Sequence, residues 1–112
     1  MHEYPITRRI IEIAGEYAKD HQAGEVKVIN LVVGDTCGYV ASSMELYFEL
    51  IAEGTPCSRA KLHIERVEPR LCCSSCGKLF VREPFTFECP YCKGEGRPTE
   101  IGHEFYIKSI EI

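Results

Sequence analysis

Two groups of residues in this chain have the types and spacing to hold metal ions. The first is a cysteine quartet. Cys73-Ser-Ser-Cys76 and Cys89-Pro-Tyr-Cys92 are CxxC pairs separated by twelve residues. A gap of two residues makes a tight turn that aims both sulfurs at one point and leaves backbone N–H groups to support them. Two such pairs supply the four thiolates of a tetrahedral ion. Soft fourfold thiolate ligation selects zinc, with iron as the chemical rival. A redox role for either pair alone is the weaker reading, since two pairs at this spacing rarely coincide. A closed four-sulfur shell leaves no position for water, so the ion is structural and not catalytic. Cys72 competes with Cys73, with a three-residue gap to Cys76. Cys73 is preferred because its spacing mirrors the second pair.

The second group is Met1-His2-Glu3. Removal of an initiator methionine requires a small second residue, and histidine is large, so Met1 keeps a free amine. That amine, the His2 backbone nitrogen and the His2 ring Nδ1 can close fused five- and six-membered chelate rings on one metal. The Glu3 backbone nitrogen would complete a square of nitrogen donors. Such a square suits Ni(II) or Cu(II) and fits zinc poorly. Taken alone, a histidine near the start is more simply a solvated terminus.

The elements that must position these groups follow from hydrophobic pattern. Residues 5 to 22 read as a helix with Ile6, Ile10, Ile13 and Tyr17 on one face. Pro5 suits a first helical position, and Gly24 a C-terminal stop. Residues 25 to 34 read as a strand rich in β-branched side chains. Its alternation slips near Ile29 and Asn30, which implies a bulge or burial on both faces. Ser42 and Glu45 have capping-box spacing before a second helix, about 42 to 52, with Leu46, Tyr47, Leu50 and Ile51 as its apolar side. Residues 60 to 67 alternate, with Ala60, Leu62 and Ile64 opposite Lys61, His63 and Glu65. Residues 103 to 112 close the chain as a strand, Phe105 and Ile107 facing one way, Tyr106, Ile110 and Ile112 the other.

The fold class expected is α/β in the α+β sense: two helices on a small three-stranded sheet, with a zinc-ribbon module inserted before the last strand. Residues 1–68 and 103–112 would form one domain and residues 69–102 the ribbon, hinged near 67–69 and 98–103. The ribbon has little core of its own, so metal should supply much of its folding free energy.

Composition bounds the function. The chain has 112 residues, 45% hydrophobic and 27% charged, with net charge -4 and pI near 5.6. No basic excess exists to neutralise phosphates, which argues against nucleic acid as partner. No apolar run approaches the roughly 18 residues that span a bilayer. The opening MHEYPITRR has no apolar core of a secretory signal, so a cytoplasmic location is expected. Seven cysteines, an odd number, with two CxxC pairs and no export signal point to metal and not to disulfides. Cys37, Cys57 and the spare Cys72 read as small buried hydrophobes.

His2-Glu3 directly after the initiator, a helix, Gly34, a second helix ending Glu53-Gly54-Thr55, then Leu62-His63-Ile64-Glu65, the two CxxC pairs and a closing Ser109-Ile110-Glu111-Ile112 together resemble the HypA/HybF family of nickel metallochaperones for [NiFe]-hydrogenase maturation. The resemblance covers essentially the whole chain. It implies a nickel-binding α/β domain joined to a zinc ribbon, with Cys73, Cys76, Cys89 and Cys92 on structural Zn2+. It implies Ni2+ cargo held at Met1, His2 and Glu3. It implies a HypB-type GTPase and the hydrogenase large subunit as partners, with urease maturation proteins in some organisms, and no membrane. Some members offer a further carboxylate before the second helix; this chain has Val40-Ala41-Ser42 there, with Asp35 the nearest acid upstream.

Other residues invite a reading and resist it. His21, His63 and His103 are expected on the surface, as are Arg8 and Arg9. No Ser/His/Asp pattern, phosphate loop or catalytic acid pair can be assembled, so an enzyme is not expected. The rival function is a zinc-ribbon interaction module on nucleic acid or a protein assembly, which the ribbon alone would satisfy and the acidic pI disfavours.

Overall fold

The computed structural model describes residues 3–112. Its elements in chain order are α1 (Glu3–Asp20), β1 (Val28–Gly34), α2 (Ala41–Ala52), β2 (Lys61–Val67), β3 (Leu71–Cys73), β4 (Leu79–Phe80), β5 (Gly96–Pro98) and β6 (Phe105–Glu111). They form two three-stranded sheets, β2-β1-β6 and β4-β3-β5. The last strand returns to the first sheet, as the sequence pattern implies. The molecule measures 55 × 27 × 16 Å with a radius of gyration of 17.9 Å. A single compact domain of this length would have about 13 Å. The two sheets therefore sit along a rod.

β1 lies between β2, which runs parallel to it, and β6, which runs antiparallel. Ile29, Leu31 and Val33 of β1 are buried with Ile10, Ile11, Ala14, Ala18, Met44, Phe48, Ala52 and Cys57. Val32 is buried as well. The slip foreseen on β1 is a bulge, but the extra residue belongs to β6. Asn30 pairs with Ser109 and Leu31 with Ile107, so Lys108 is skipped. That changes the phase of β6. Phe105, Ile107, Ile110 and Ile112 all pack on the core, and the expected opposition of Ile110 and Ile112 to Phe105 and Ile107 is corrected by the bulge.

Each helix turns inward only part of the face expected: Ile10 is buried and Ile6 and Ile51 pack on the core, but other residues supply the rest. In α1 the buried residues are Glu3, Thr7, Ile10, Ile11, Ala14 and Ala18, while Tyr17 is exposed and lies against His21. The alanines bring the helix close to its neighbours, which a Tyr17 face would not allow. In α2 Met44, Phe48 and Ala52 are buried, whereas Leu46 and Leu50 are exposed. The Ser42–Glu45 capping box does not form: the N-cap is Val40, with no side-chain cap of its own. α1 ends at Asp20, and Gln22 at φ 57°, not Gly24, takes the left-handed position after it.

The sheets meet where Gly34, at the end of β1, lies against the Gly102 backbone. A Cβ on Gly34 would collide with the Gly102 carbonyl, and one on Gly102 would press on Pro69. The Gly34 N–H donates to the Glu104 carbonyl at 2.7 Å, and the Thr36 N–H and Oγ1 both donate to the Gly102 carbonyl at 2.8 Å.

Candidate metal centre

β3 explains which of two adjacent cysteines faces the other pair. Leu71 and Cys73 point inward and are buried, so Cys72 between them points away. The Cys72 sulfur lies 3.6 Å from the Gly77 carbonyl and 3.9 Å from that of Cys73. The sulfurs of Cys73, Cys76, Cys89 and Cys92 all lie within 4.8 Å of one another, and this is the only such group of His, Cys, Asp and Glu among the described residues.

The two turns that carry the quartet repeat one hydrogen-bond plan. The Gly77 N–H donates to the Cys73 carbonyl and the Cys73 N–H to the Lys78 carbonyl; the Lys93 N–H donates to the Cys89 carbonyl and the Cys89 N–H to the Gly94 carbonyl. Gly77 and Lys93 hold equivalent left-handed positions, at φ 75° and 63°. In each turn, N–H groups aim at the first sulfur. Ser75 and Cys76 donate to the Cys73 Sγ at 3.4 Å, and Tyr91 donates to the Cys89 Sγ at 3.4 Å. Cys73 and Cys89 are buried, and Cys76 and Cys92 are exposed.

The arrangement suits a tetrahedral thiolate-bound ion. Four sulfurs at about 2.3 Å from a central ion stand about 3.8 Å apart. The Cys73–Cys92 separation is 3.3 Å and the Cys76–Cys89 separation 3.8 Å. Electrostatics point the same way. The Cys76 N–H, with that of Ser75 and the Cys92 and Cys76 sulfurs, brings the Cys73 thiol down to about 6 against the effect of burial. At Cys92 the Gly94 N–H also pulls downward, but the Cys73, Cys76 and Cys89 sulfurs and burial push the thiol up to about 12. Packed thiols resist joint ionisation until a cation neutralises them.

Of the amino-terminal group, Met1 and His2 lie outside the described residues. Glu3 is buried at the start of α1, and its Oε2 accepts the Val40 N–H at 2.9 Å. Hydrogen bonds, those from the Val40 and Glu3 N–H groups among them, hold its carboxyl down to about 2. The start of α1 is thus tied to the start of α2, and Tyr4 meets Tyr47 edge-to-face, with ring centroids 5.5 Å apart. Asp35 is engaged elsewhere, accepting Arg66 Nε and Nη2 at 3.1 and 3.0 Å. The other histidines stand apart from the sulfurs. His21 Nδ1 meets the Tyr17 carbonyl, His103 Nδ1 meets Thr36 Oγ1, and His63 is exposed on β2.

Sequence reasoning missed the carboxylate link from Glu3 to Val40 and the Gly34–Gly102 junction. Neither leaves a local signal, because both join residues far apart in the chain.

Fold and cysteine cluster together define a class: an elongated α+β protein whose second sheet presents a ribbon-type four-cysteine centre. A family model described as hydrogenase/urease nickel incorporation, metallochaperone, hypA matches residues 1–112. The hydrogenase maturation factor HypA of Caldanaerobacter subterraneus subsp. tengcongensis is 34% identical over 113 residues, covering 100% of this chain and 99% of that one. Its counterpart in Geobacter metallireducens is 35% identical over 112 residues, with the same coverage. A solution structure of a HypA protein superposes with a TM-score of 0.68 at 26% identity, covering 100% of this chain and 96% of that one. The Ni metallochaperone HypA from Helicobacter pylori gives 0.64 at 25% identity, covering 98% and 96%. The chain belongs to the HypA family of nickel-incorporation metallochaperones for hydrogenase maturation. Among the described residues no helix is long and apolar enough to cross a membrane.

Proposed function

We propose that this protein binds Ni(II) at its amino terminus, carries it, and releases it for insertion into a [NiFe]-hydrogenase, while a structural zinc ion folds its second sheet. The family match running from residue 1 to residue 112 carries this reading. Residues 1–68 and 103–112 act as the nickel-binding domain and residues 69–102 as the zinc ribbon. Nickel is cargo. Its ligands are the Met1 amine, the His2 backbone nitrogen and Nδ1, and the Glu3 backbone nitrogen. The first N–H groups of a helix have no intrahelical partner, so donors at the start of α1 are not committed to the helix ladder. Glu3 acts through its side chain as well, tying the start of α1 to Val40.

Zinc fits Cys73, Cys76, Cys89 and Cys92 on the sulfur spacing and the supporting N–H groups. When bound it supplies charge neutralisation and a cross-link between the two turns. The four thiolates saturate it, so it offers no site for catalysis, and the protein acts as a carrier and not as an enzyme. Nickel affinity is moderate, because delivery requires release. A HypB-type GTPase and the hydrogenase large subunit are the partners, urease maturation proteins are further candidates, and the work is done in the cytoplasm. Nucleic acid is disfavoured by the net charge of -4.

The test is calorimetric nickel titration of protein with an unmodified amino terminus, with metal analysis and X-ray absorption at both edges. One nickel should bind through nitrogen-rich ligation and one zinc through four sulfurs. His2→Ala should lose nickel and keep zinc. Full nickel affinity in that variant would overturn the assignment.

A further inference from the structure

Two surfaces remain unused by the metal chemistry, and they complement each other. One is the turn after β4. Phe85 is 100% exposed there, with a left-handed backbone at φ 66°. A bulky residue takes that conformation only where the surrounding turn fixes it. The turn is fixed: Arg82 Nε donates to the Thr86 carbonyl at 3.1 Å, and the Arg82 guanidinium lies 4.3 Å from the centre of the exposed Phe87 ring. The result is a phenyl knob beside a held cation.

The other surface is a groove of about 380 Å³ between α2 and β2, lined by Glu45, Phe48, Glu49, Ala60, Lys61 and Leu62. Phe48, Ala60 and Leu62 belong to or pack on the core and give it an apolar floor. Glu45 and Glu49, one turn apart, give it an acidic rim, opposed by Lys61. Glu53 continues the acidic line, and Leu46 and Leu50 stand exposed beside it. α2 itself has no basic residue.

Charge is divided in the same sense. Residues 69–102 carry five Lys or Arg against four Glu, and the rest of the chain eight against thirteen Asp or Glu. Phe85 is wholly exposed, so the groove of its own chain does not hold it.

We propose that the Phe85 turn of one copy seats in the α2–β2 groove of a second copy, with Arg82 against the Glu45–Glu49 rim, and that the exchange is reciprocal. Two rods side by side and antiparallel would make the contact twice about one two-fold axis, which closes the assembly as a dimer. A buried aromatic anchor flanked by a complementary charge is the usual energetic centre of such a contact. This inference concerns assembly and stands whether or not nickel binds at the amino terminus.

Sedimentation velocity of the zinc-loaded, untagged protein, from micromolar to submillimolar concentration, tests it. A reversible monomer–dimer equilibrium that weakens with added salt is expected. Phe85→Ser should weaken association by at least about tenfold. Arg82→Glu alone and Glu45→Arg with Glu49→Arg should each weaken it, since both place like charges together. An equimolar mixture of these two charge-reversed proteins should associate again, because each mixed contact pairs opposite charges. All these side chains are exposed and none is a metal ligand, so the variants should keep their zinc; Arg82→Glu also gives up the bond to the Thr86 carbonyl, so the decisive reading is the re-association of the mixture and not the loss in that variant alone. The proposal is overturned by a protein monomeric throughout, by a dimer indifferent to these substitutions, or by a mixture no tighter than its components.

Discussion

The Glu3 carboxylate accepts the Val40 backbone N–H at 2.9 Å, so the first residue of α1 caps the start of α2 from 37 positions away. It sits where the helix dipole favours negative charge, and Val40 has no side-chain cap of its own.

This arrangement sets a pH dependence. The Glu3 carboxyl is held at about 2 against an ordinary value of 4.5 by hydrogen bonds, that of the Val40 N–H among them. A folded value below the unfolded one means that stability is present above the unfolded value and lost as pH falls through the folded one. Glu3→Gln should therefore lower the urea midpoint at pH 7. The gap from the parent protein should narrow as pH drops from 4.5 toward 2. Both proteins would shed ribbon metal at the same acid pH, so their difference isolates the carboxylate. A gap that stays constant across that range would rule out the linkage.

Cys72 and Cys73 are neighbours in sequence but face opposite sides of β3, which separates their expected effects. Cys73→Ser should release zinc and melt the β4-β3-β5 sheet while β2-β1-β6 persists, since metal supplies much of the folding energy of so small a module. Cys72→Ser should keep one zinc per chain. Amide spectra with zinc quantitation decide. Zinc loss in the Cys72 variant would show that the quartet is wrongly drawn.

Gly34 and Gly102 couple the sheets by backbone contact. A methyl group on Gly34 would strike the Gly102 carbonyl, and the Gly34 N–H is held by Glu104. Overpacking of this kind costs about 1–3 kcal/mol. Gly34→Ala should lose that much stability and alter the amide shifts of 66–70 and 100–105 more than those of Cys73 to Cys92. A variant as stable as its parent would mean that the junction yields freely.

How much of this was legible beforehand differs by element. The cysteine quartet announces itself because ligand spacing is local. The order of elements and the return of the last strand follow from local pattern too. Helix faces were read only in part, through Ile6, Ile10 and Ile51, because Ile13 and Tyr17, or Leu46 and Leu50, look as apolar as the residues actually buried. What selects Thr7, Ala14 and Ala18 is close approach to neighbours, which a single sequence does not contain. The phase of β6 depended on one bulge at Lys108, visible only as an irregularity on its partner strand. The caps were missed for the same reason: Glu3 replaces the Ser42–Glu45 box through the fold, not through the chain.

Lys93 offers the most local test, because its equivalent in the other cysteine turn is a glycine. Gly77 at φ 75° and Lys93 at φ 63° have the same role: each N–H donates to the carbonyl of the first cysteine in its pair. The left-handed conformation costs an ordinary L-residue about 1 kcal/mol and costs glycine little. Lys93→Gly should therefore stabilise the zinc-loaded ribbon by up to about 1 kcal/mol, less the extra entropy that glycine loses on folding. Gly77→Ala should destabilise it by a similar amount. The two effects should add, since each acts on its own turn. Competition with a zinc chelator measures both against the parent protein. If Lys93→Gly instead releases zinc more readily, Lys93 contributes through its side chain, and the two turns are not equivalent.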